Sequence, residues 1–356
     1  MPDCADLRLR LAAYLDAEIA SLHILDSGWE TTIFEFTIGA RSSRAPDLPI
    51  RSPLVLRVYD GARADDKAAR EGRTMFDLAA VGYPVPRPYL LEPHSDLLGA
   101  PFLVMDRVAG GPLFAAKSFP QAFTTFALGF IAFVRAQVRL HRLDLAGDGL
   151  DNLPGAYSAS SIPATAALLD RLLGIIAERV ERGPLPGLSD ALISLRDRAE
   201  SYRIAPRVIV HMDYHPQNVI VRGMRVSGVI DWVCADRGDR HLDAATTSAI
   251  LATSAMDRPR WMRDNPIGNS LRALFAALYF PAYHALAPME LDRFRYCQAV
   301  AALFRLSTLG MMRARGPESV GYRPAAIANV TAGVVRLLSR YAARKSGVPV
   351  SIAAKI

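Results

Sequence analysis

The spacing of apolar and polar positions changes along the chain. Residues 6–22 carry apolar side chains at helical spacing, which predicts a leading helix. From residue 23 to residue 105 the pattern is mainly one of short apolar runs bounded by turn residues, and such runs predict strands. The exception is the polar stretch 65–71, which runs into Met75, Phe76 and Leu78 and predicts one amphipathic helix. The predicted strands are 24–25, 33–38, 54–58 and 102–105.

Helical spacing dominates after Gly110 and Gly111. Two amphipathic helices are predicted at 164–180 and 190–202, and the pattern is helical again from Leu242 to the end. The uncharged stretches 118–134 and 273–289 only reach the lower edge of membrane-spanning length and both contain Pro, so they predict core helices. Three short β-branched runs interrupt the helices and predict strands. These runs are 208–210, 219–221 and 226–230.

The loop between the first two of these runs holds the most informative residues of the chain. It contains His211-x-Asp213-x-x-x-x-Asn218, and Asp231 follows the third run. Pro216 prevents a strand from continuing through this segment, which should therefore form a loop. Asp231 comes just past the end of the third run, so it should lie beside Asp213 and Asn218 of this loop. A kinase catalytic loop followed by its metal-binding Asp has this arrangement. Residues 207–233 therefore predict phosphoryl transfer from ATP or GTP.

Each residue type in this loop suits one part of that reaction. Phosphoryl transfer needs a group that orients the attacking hydroxyl and accepts its proton, and Asp213 is predicted to do this as the catalytic residue. It also needs hard oxygen ligands for Mg²⁺, which Asn218 and Asp231 are predicted to supply. His211 is predicted to support the loop through hydrogen bonds rather than to react.

The same stretch resembles the aminoglycoside phosphotransferase and choline kinase superfamily, the small-molecule relatives of protein kinases. Those proteins carry His-Gly-Asp-x-x-x-x-Asn followed by Ile-Asp-Trp, which here is 230–232, while Met212 replaces the Gly. Their acidic segment after the metal-binding Asp corresponds to 238–244, where Arg240 replaces a Pro. The resemblance implies an α+β, protein-kinase-like fold of two lobes with the nucleotide in the cleft between them. The expected lobes are 1–106, a small antiparallel sheet with a leading helix and one key helix, and 107–356, mainly helical with a catalytic β-hairpin.

The resemblance extends to the N-terminal lobe. Arg57 ends an apolar strand at the place of the kinase Lys that contacts the nucleotide phosphates, and Glu71 is its expected helix partner. Arg suits this place because a guanidinium binds phosphate through two parallel hydrogen bonds.

Two further segments are expected to contact the nucleotide. Ser27, Gly28 and Thr31 belong to a hairpin loop that would cover the phosphates, although the loop has one Gly only. Met105, Asp106 and Val108 correspond to the hinge whose backbone binds the base, either adenine or guanine.

Composition narrows the class of protein. The chain has 356 residues, of which 51% are hydrophobic and 22% charged, and this is typical of a globular protein with a sizeable core. The net charge is +7, but the Arg residues are dispersed without aromatic interleaving, which argues against a nucleic-acid partner. Three Cys without CxxC spacing argue against disulfides and zinc. With no signal-peptide pattern, they favour a cytoplasmic protein without membrane partners.

The acceptor is the part that the sequence restricts least. Aminoglycosides are polycations and need an acidic surface, but Arg residues outnumber the acids after Asp243. The same region is rich in aromatic and Met residues, most of which would be core while some could line an apolar acceptor pocket. These observations favour a hydroxyl of a neutral or partly apolar molecule, macrolide-like or a metabolite alcohol.

Other readings stay open at this point. Asp236, Asp239 or Asp243 could bind one ammonium group, which keeps a choline-like amino alcohol open. Arg57 and the single-Gly loop are the best support for a non-catalytic nucleotide-binding pseudokinase or scaffold. The oligomeric state is open.

Overall fold

The computed structural model describes residues 4–27, 31–61, 63–94, 98–113, 119–144, 156–157, 160–163, 165–253 and 266–352. Within them, the N-terminal region is an antiparallel sheet with two helices, and the C-terminal region is mainly helical with short strands. The mixed α/β architecture predicted from the sequence is therefore confirmed. The N-terminal elements are α1 (Cys4–Leu15), β1 (Ile19–Ser27), β2 (Thr31–Ile38), β3 (Leu54–Tyr59), α2 (Ala64–Ala80), β4 (Pro88–Glu92) and β5 (Phe102–Asp106).

The leading helix is shorter than predicted. It ends at Leu15, where Asp16 adopts a positive φ of 47°, and β1 begins at Ile19. The prediction of helix through residue 22 was wrong because Ile19 pairs with Ile38 of β2, and a strand partner outweighs apolar spacing in the sequence. Strand β4 was not predicted either.

The five-stranded sheet has the order β1-β2-β3-β5-β4. Every residue of β3 is buried, because both faces of this strand are covered. Leu54, Leu56 and Val58 pack into the core that includes α1, whereas Val55 and Tyr59 pack on the opposite side with α2. Since side chains alternate along a strand, Arg57 falls on the α2 side of the sheet.

The C-terminal region forms around a long helix, α8, more than half of whose residues are buried. Predicted core helices are observed near 118–134 and 273–289, and no helix of the described residues is long and apolar enough to cross a membrane. The three cysteines, all within the described residues, form no disulfide. The helices are α3 (Phe119–Leu140), α4 (Leu168–Arg182), α5 (Ser189–Ala199), α6 (Arg240–Thr253), α7 (Pro266–Leu286), α8 (Leu291–Arg315) and α9 (Ala332–Ser346).

Five short strands position the loop that holds the candidate residues. β8 and β9 form the predicted hairpin, with Gly223 at a φ of 61° in its turn, and β6 adds to the edge of β8. β7 pairs with β10, a strand that was not predicted. These strands are β6 (Gly111–Pro112), β7 (Val208–Val210), β8 (Val219–Arg222), β9 (Arg225–Val229) and β10 (Asp236–Gly238).

Candidate active site

A buried ion network joins the sheet, α2 and the end of the hairpin. Nη1 of Arg57 donates to Oε1 of Glu71 at 3.0 Å, and its Nη2 donates to Oδ1 of Asp231 at 2.6 Å. Glu71 also accepts from the hydroxyl of Tyr59 at 2.5 Å and from the backbone N–H of Trp232 at 3.1 Å. The structure thus brings together Arg57, Glu71 and Asp231. Arg57 and Asp231 are 174 residues apart in the sequence.

The electrostatics of this network keep Arg57 charged. Burial alone would lower the pKa of a guanidinium, but the carboxylates of Asp231 and Glu71 outweigh burial and raise the pKa of Arg57. Asp231 adopts a left-handed conformation with a φ of 69°, which is uncommon for a residue with a Cβ. Its side chain contacts Arg57 of β3, and a conformation of this kind is the strain found at functional sites.

Asp213 and Asn218 face each other across the loop between β7 and β8. Nδ2 of Asn218 donates to the backbone oxygen of Asp213 at 3.0 Å and to its Oδ2 at 3.3 Å. The backbone N–H of Ile230 donates to the backbone oxygen of Asn218 at 2.9 Å. This last bond holds the end of β9, and therefore Asp231, beside the loop.

Asp213 lies beside a histidine and within the field of a more distant arginine. Nε2 of His215 lies 3.5 Å from Oδ2 of Asp213. Burial would raise the pKa of Asp213, but His215 and, at longer range, Arg305 of α8 lower the pKa to about 2. Asp213 is therefore ionised at neutral pH and able to accept a hydrogen bond from a hydroxyl. Neither His215 nor Arg305 was assigned a role from the sequence. Arg305 is on a distant helix and leaves no signal in the motif, whereas His215 lies within the loop itself.

His211 forms the hydrogen bonds that its predicted supporting role in the loop requires. Its Nε2 donates to the backbone oxygen of Ile230 at 3.0 Å, and its Nδ1 accepts from the backbone N–H of Asp213 at 3.3 Å. Burial lowers the pKa of His211, in agreement with a neutral ring that donates on one side and accepts on the other. Its ring packs 4.5 Å from that of Trp232, measured between centroids.

Asp243 of α6 holds the loop through a hydrogen bond to its backbone. Its Oδ1 accepts the backbone N–H of Met212 at 2.6 Å, and Met212 has a positive φ of 61°. Its Oδ2 accepts from Nε2 of His141 at 2.8 Å and from Nε2 of Gln137 at 3.0 Å. This geometry gives His141 and Gln137 a structural role, and Gln137 was not identified from the sequence because α3 has no motif around it.

The other two acids considered for an ammonium group are also engaged. Asp236 forms two hydrogen bonds of 2.9 Å with the guanidinium of Arg171. Asp239 contacts Arg293 at 2.9 Å and His241 at 2.7 Å. Each of the three carboxylates therefore already has a buried or half-buried partner.

The segments expected to contact the nucleotide are described in part. Thr31 is the first residue of β2 and is buried; Ser27 ends β1, and Gly28 lies outside the described residues. In the hinge, Met105 is buried in β5, and the Asp106 backbone N–H already donates to the oxygen of Arg87 at 2.9 Å.

The rest of the expected hinge packs on the β8–β9 hairpin. The side chain of Val108 lies against Gly228 of β9, where a Cβ would come within 3.0 Å of it. The hydroxyl of Ser227, also in β9, donates to the oxygen of Ala109 at 2.7 Å. The linker between the two regions is therefore fixed on the hairpin that leads to Asp231.

Most of the aromatic and Met residues after Asp243 are core residues. Those fully buried are Phe275, Tyr279, Tyr283, Phe294, Tyr296, Met311 and Met312. Leu274 and Leu278 are exposed on α7, whereas Trp261 and Met262 lie outside the described residues. Aromatic content by itself therefore says little about the acceptor.

The donor set fits a magnesium ion. Asn218 uses its amide nitrogen for Asp213, which leaves its side-chain oxygen for another partner. Asp231 is about one-third exposed, and only Oδ1 contacts Arg57. Mg²⁺ needs only one or two protein ligands when phosphates and water complete its octahedron. The described residues contain no larger group of acids, His and Cys that could hold a metal ion.

The fold and this set of residues define the class of protein-kinase-like small-molecule phosphotransferases. The chain belongs to the phosphotransferase enzyme family, whose model matches residues 21–289. The family resemblance and the enzyme class predicted from the sequence are thereby confirmed. No curated protein matches the chain in sequence.

Solved structures show the same fold at low sequence identity. A protein of Ralstonia eutropha JMP134 assigned to the aminoglycoside phosphotransferases has a TM-score of 0.61 and 17% identity, with 97% of this chain and 96% of that one covered. The aminoglycoside phosphotransferase APH(4)-Ia has a TM-score of 0.60 and 18% identity, with coverage of 93% and 100%. A macrolide 2′-phosphotransferase of Brachybacterium faecium has a TM-score of 0.50 and 17% identity, with coverage of 95% and 97%. At this identity the likeness shows the fold alone.

Proposed function

We propose that this protein transfers the γ-phosphoryl group of ATP or GTP to a hydroxyl of a small molecule. The observation that carries the proposal is the contact of Arg57 with both Glu71 and Asp231, beside the loop that holds Asp213 and Asn218. An ion pair between strand and helix and a metal-binding Asp next to the catalytic loop are the parts that kinase chemistry requires. The solved structure of an APH(4)-Ia variant with AMP-PNP and hygromycin B supports a nucleotide and a small-molecule partner.

In the proposed reaction the acceptor oxygen attacks the γ-phosphorus in line with the leaving group. The new bond joins the acceptor oxygen to phosphorus, and the bond to the bridging β,γ-oxygen breaks to release the nucleoside diphosphate. Asp213 orients the acceptor hydroxyl and receives its proton. Because its pKa is lowered to about 2, its main contribution is the orientation of the hydroxyl, and the proton passes on to water.

Residues 1–106 are proposed to bind the nucleotide and 107–356 to bind the acceptor. Arg57, held by Glu71, would contact the phosphates, and residues 27–31 would cover them. The backbone of Met105, Asp106 and Val108 would contact the base. Asn218 and Asp231 would hold Mg²⁺, whose charge neutralises phosphate oxygens when it is bound.

The charges around Asp213 favour a neutral or partly apolar acceptor over a polycation. Arg305 acts on Asp213 as a permanent cation, and His215 adds a second positive charge when it is protonated, so a cationic acceptor brought there would be repelled. Asp236, Asp239 and Asp243 are occupied by protein groups, which weighs against an ammonium site built from them. A macrolide-like compound or a metabolite alcohol agrees best with these charges.

The test is nucleoside diphosphate release with Mg²⁺ across a panel of hydroxylated compounds. The panel holds macrolides, aminoglycosides, choline-like amino alcohols, sugars and hydroxy acids, each with ATP and with GTP. Asp213→Asn keeps the size of the side chain and should lower stimulated release by roughly 10²- to 10⁴-fold. Asp197→Asn, on the exposed face of α5, is the matched control and should turn over like the wild type.

The outcomes separate the alternatives. Release stimulated by one class and absent in Asp213→Asn identifies the acceptor. Tight Mg·nucleotide binding without release from any compound would favour the pseudokinase alternative. Equal rates for Asp213→Asn and the wild type would overturn the assignment of Asp213.

A further inference from the structure

An arginine from beyond the family-matched segment reaches back to the N-terminal sheet. Nη2 of Arg323 donates to Oγ1 of Thr32 at 2.8 Å and to Oδ2 of Asp60. Its Nη1 donates to the backbone oxygen of Thr31 at 3.2 Å. The family model ends at residue 289, so this contact is made by a part of the chain that the family pattern does not include.

The local backbone directs Arg323 toward the sheet. The segment 316–323, named here the strap, follows α8 and contains the short 3₁₀-helix Pro317–Val320. Gly316 and Gly321, both with a φ of 86°, provide the two turns at its ends, which residues with a Cβ rarely adopt. Pro324 restricts the residue before it to extended conformations, and Arg323 has φ −68° and ψ 152°.

The contacted residues lie where the nucleotide phosphates are proposed to bind. Thr31 and Thr32 open β2 directly after the loop that joins it to β1, and Thr32 pairs with Val58 of β3. Asp60 follows β3, the strand that carries Arg57 and Tyr59 to Glu71. Arg323 therefore contacts both the strand that leaves the phosphate loop and the end of the strand that carries the phosphate-binding cation.

The strap also approaches other elements around the cleft. A Cβ on Gly321 would lie 3.7 Å from Nζ of Lys67, in the first turns of α2. The strap is tied back to itself by backbone bonds from Tyr322 to Pro317 and from Gly321 to Glu318, of 3.1 and 3.0 Å. It is therefore an ordered bridge between the C-terminal helices and the phosphate-loop hairpin.

The chemistry of the contact is stronger than that of a surface ion pair. The side chain of Arg323 is about one-quarter exposed and that of Asp60 about one-third, and the guanidinium also has a neutral hydroxyl and a carbonyl as acceptors. Half-buried hydrogen bonds with a charged donor contribute more to stability than exposed ion pairs do. Lys at this position would keep the charge but has one nitrogen, whereas the guanidinium contacts these acceptors from two separate nitrogens in a fixed plane.

We propose that Arg323 is a positioning residue that holds the β1–β2 hairpin against the C-terminal helices and so sets the place of the nucleotide phosphates. The proposal rests on the proposed function in one respect only, that the ligand under the hairpin is a nucleotide. It follows that the segment after residue 289 takes part in nucleotide binding. Loss of the contact should act on nucleotide affinity more than on the chemical step.

The experiment compares Arg323→Gln, Arg323→Lys and Asp60→Asn with the wild type. Arg336→Gln, an exposed arginine of α9, is the matched control. Hydrogen exchange of peptides from residues 19–38 is followed in the ligand-free protein, and the dissociation constants of Mg·ATP and Mg·GTP are measured by calorimetry. Urea unfolding midpoints show whether the variants remain folded.

Arg323→Gln should speed exchange in the hairpin and weaken the bound nucleotide by about tenfold, the equivalent of ~1.4 kcal/mol. Arg323→Lys should retain part of the wild-type behaviour in both measurements. In the double variant with Arg323→Gln and Asp60→Asn, the loss of nucleotide affinity should be smaller than the sum of the losses in the two single variants. Arg336→Gln should match the wild type in every measurement.

Unchanged exchange in Arg323→Gln with a wild-type unfolding midpoint would overturn the proposal. Faster exchange with unchanged nucleotide affinity would also overturn it, because the hairpin would then be held without consequence for the phosphates. If the wild type bound neither nucleotide, the proposed function would fail, and the exchange measurement alone would still decide whether Arg323 holds the hairpin.

Discussion

Removal of the Asp243 carboxylate should destabilise the protein more than most single substitutions. The residue is fully buried, and its two oxygens accept the N–H groups of Met212, His141 and Gln137. In Asp243→Ala, Gln137 retains a hydrogen bond to Thr247, but the other two donors lose this acceptor. The perturbation therefore leaves two buried donors without a partner and a cavity beside them.

The magnitude follows from these groups. An unsatisfied buried donor costs about 1–3 kcal/mol, and breaking a buried charged network costs about 3–5 kcal/mol in all. We expect Asp243→Ala to lower the free energy of unfolding by ~3–5 kcal/mol. Asp243→Asn should cost less, because its oxygen can still accept from Met212, but part of the cost remains because its amide nitrogen cannot accept from His141 or Gln137.

The assay is urea unfolding at pH 7, followed by circular dichroism and by the fluorescence of the buried Trp232. Asp292→Asn, on the exposed face of α8, is the control and should unfold with the wild-type midpoint. A loss below about 1 kcal/mol in Asp243→Ala would refute the reasoning, since this is the average effect of any substitution.

Three further predictions concern the active site. The pKa of Asp213 is lowered to about 2 in the folded protein, so the stabilisation that its charge provides is complete above about pH 4 and is lost as the pH falls toward 2. Acid unfolding curves of the wild type and Asp213→Asn measure this difference. Tyr59→Phe removes a buried hydrogen bond to Glu71 and should cost about 1–2 kcal/mol in urea unfolding. Asp231→Asn should weaken Mg·nucleotide more than metal-free nucleotide, as calorimetry with and without Mg²⁺ would show.

Each of these predictions has a contrary outcome. Parallel acid titration curves for Asp213→Asn and the wild type would mean that the charge of Asp213 does not stabilise the fold. An unchanged midpoint for Tyr59→Phe would mean that Glu71 does not need this donor. Equal losses of affinity with and without Mg²⁺ would assign Asp231 to the protein network rather than to the metal.

The site could be predicted from the sequence where its residues are close in the chain. His211, Asp213, Asn218 and Asp231 lie within 21 residues, and the strands between them follow from β-branched runs. The pairing of Arg57 with Glu71 was also accessible, because a strand ending in a cation and a following helix have a fixed relation in kinases. The network of Gln137, His141 and Asp243 was not, because its members lie at the end of α3, in the turn after it and in α6, about one hundred residues apart.

Local patterns in the sequence therefore determined most of the elements, the motif of the proposed catalytic loop and the family of this protein. Only the tertiary structure decided that Asp16 ends the first helix, that Asp243 is a structural acceptor, and that Arg323 returns to the sheet. The physical reason is the same in each case. Hydrogen bonds and ion pairs between distant segments depend on how the helices pack, and packing leaves no local period in the sequence.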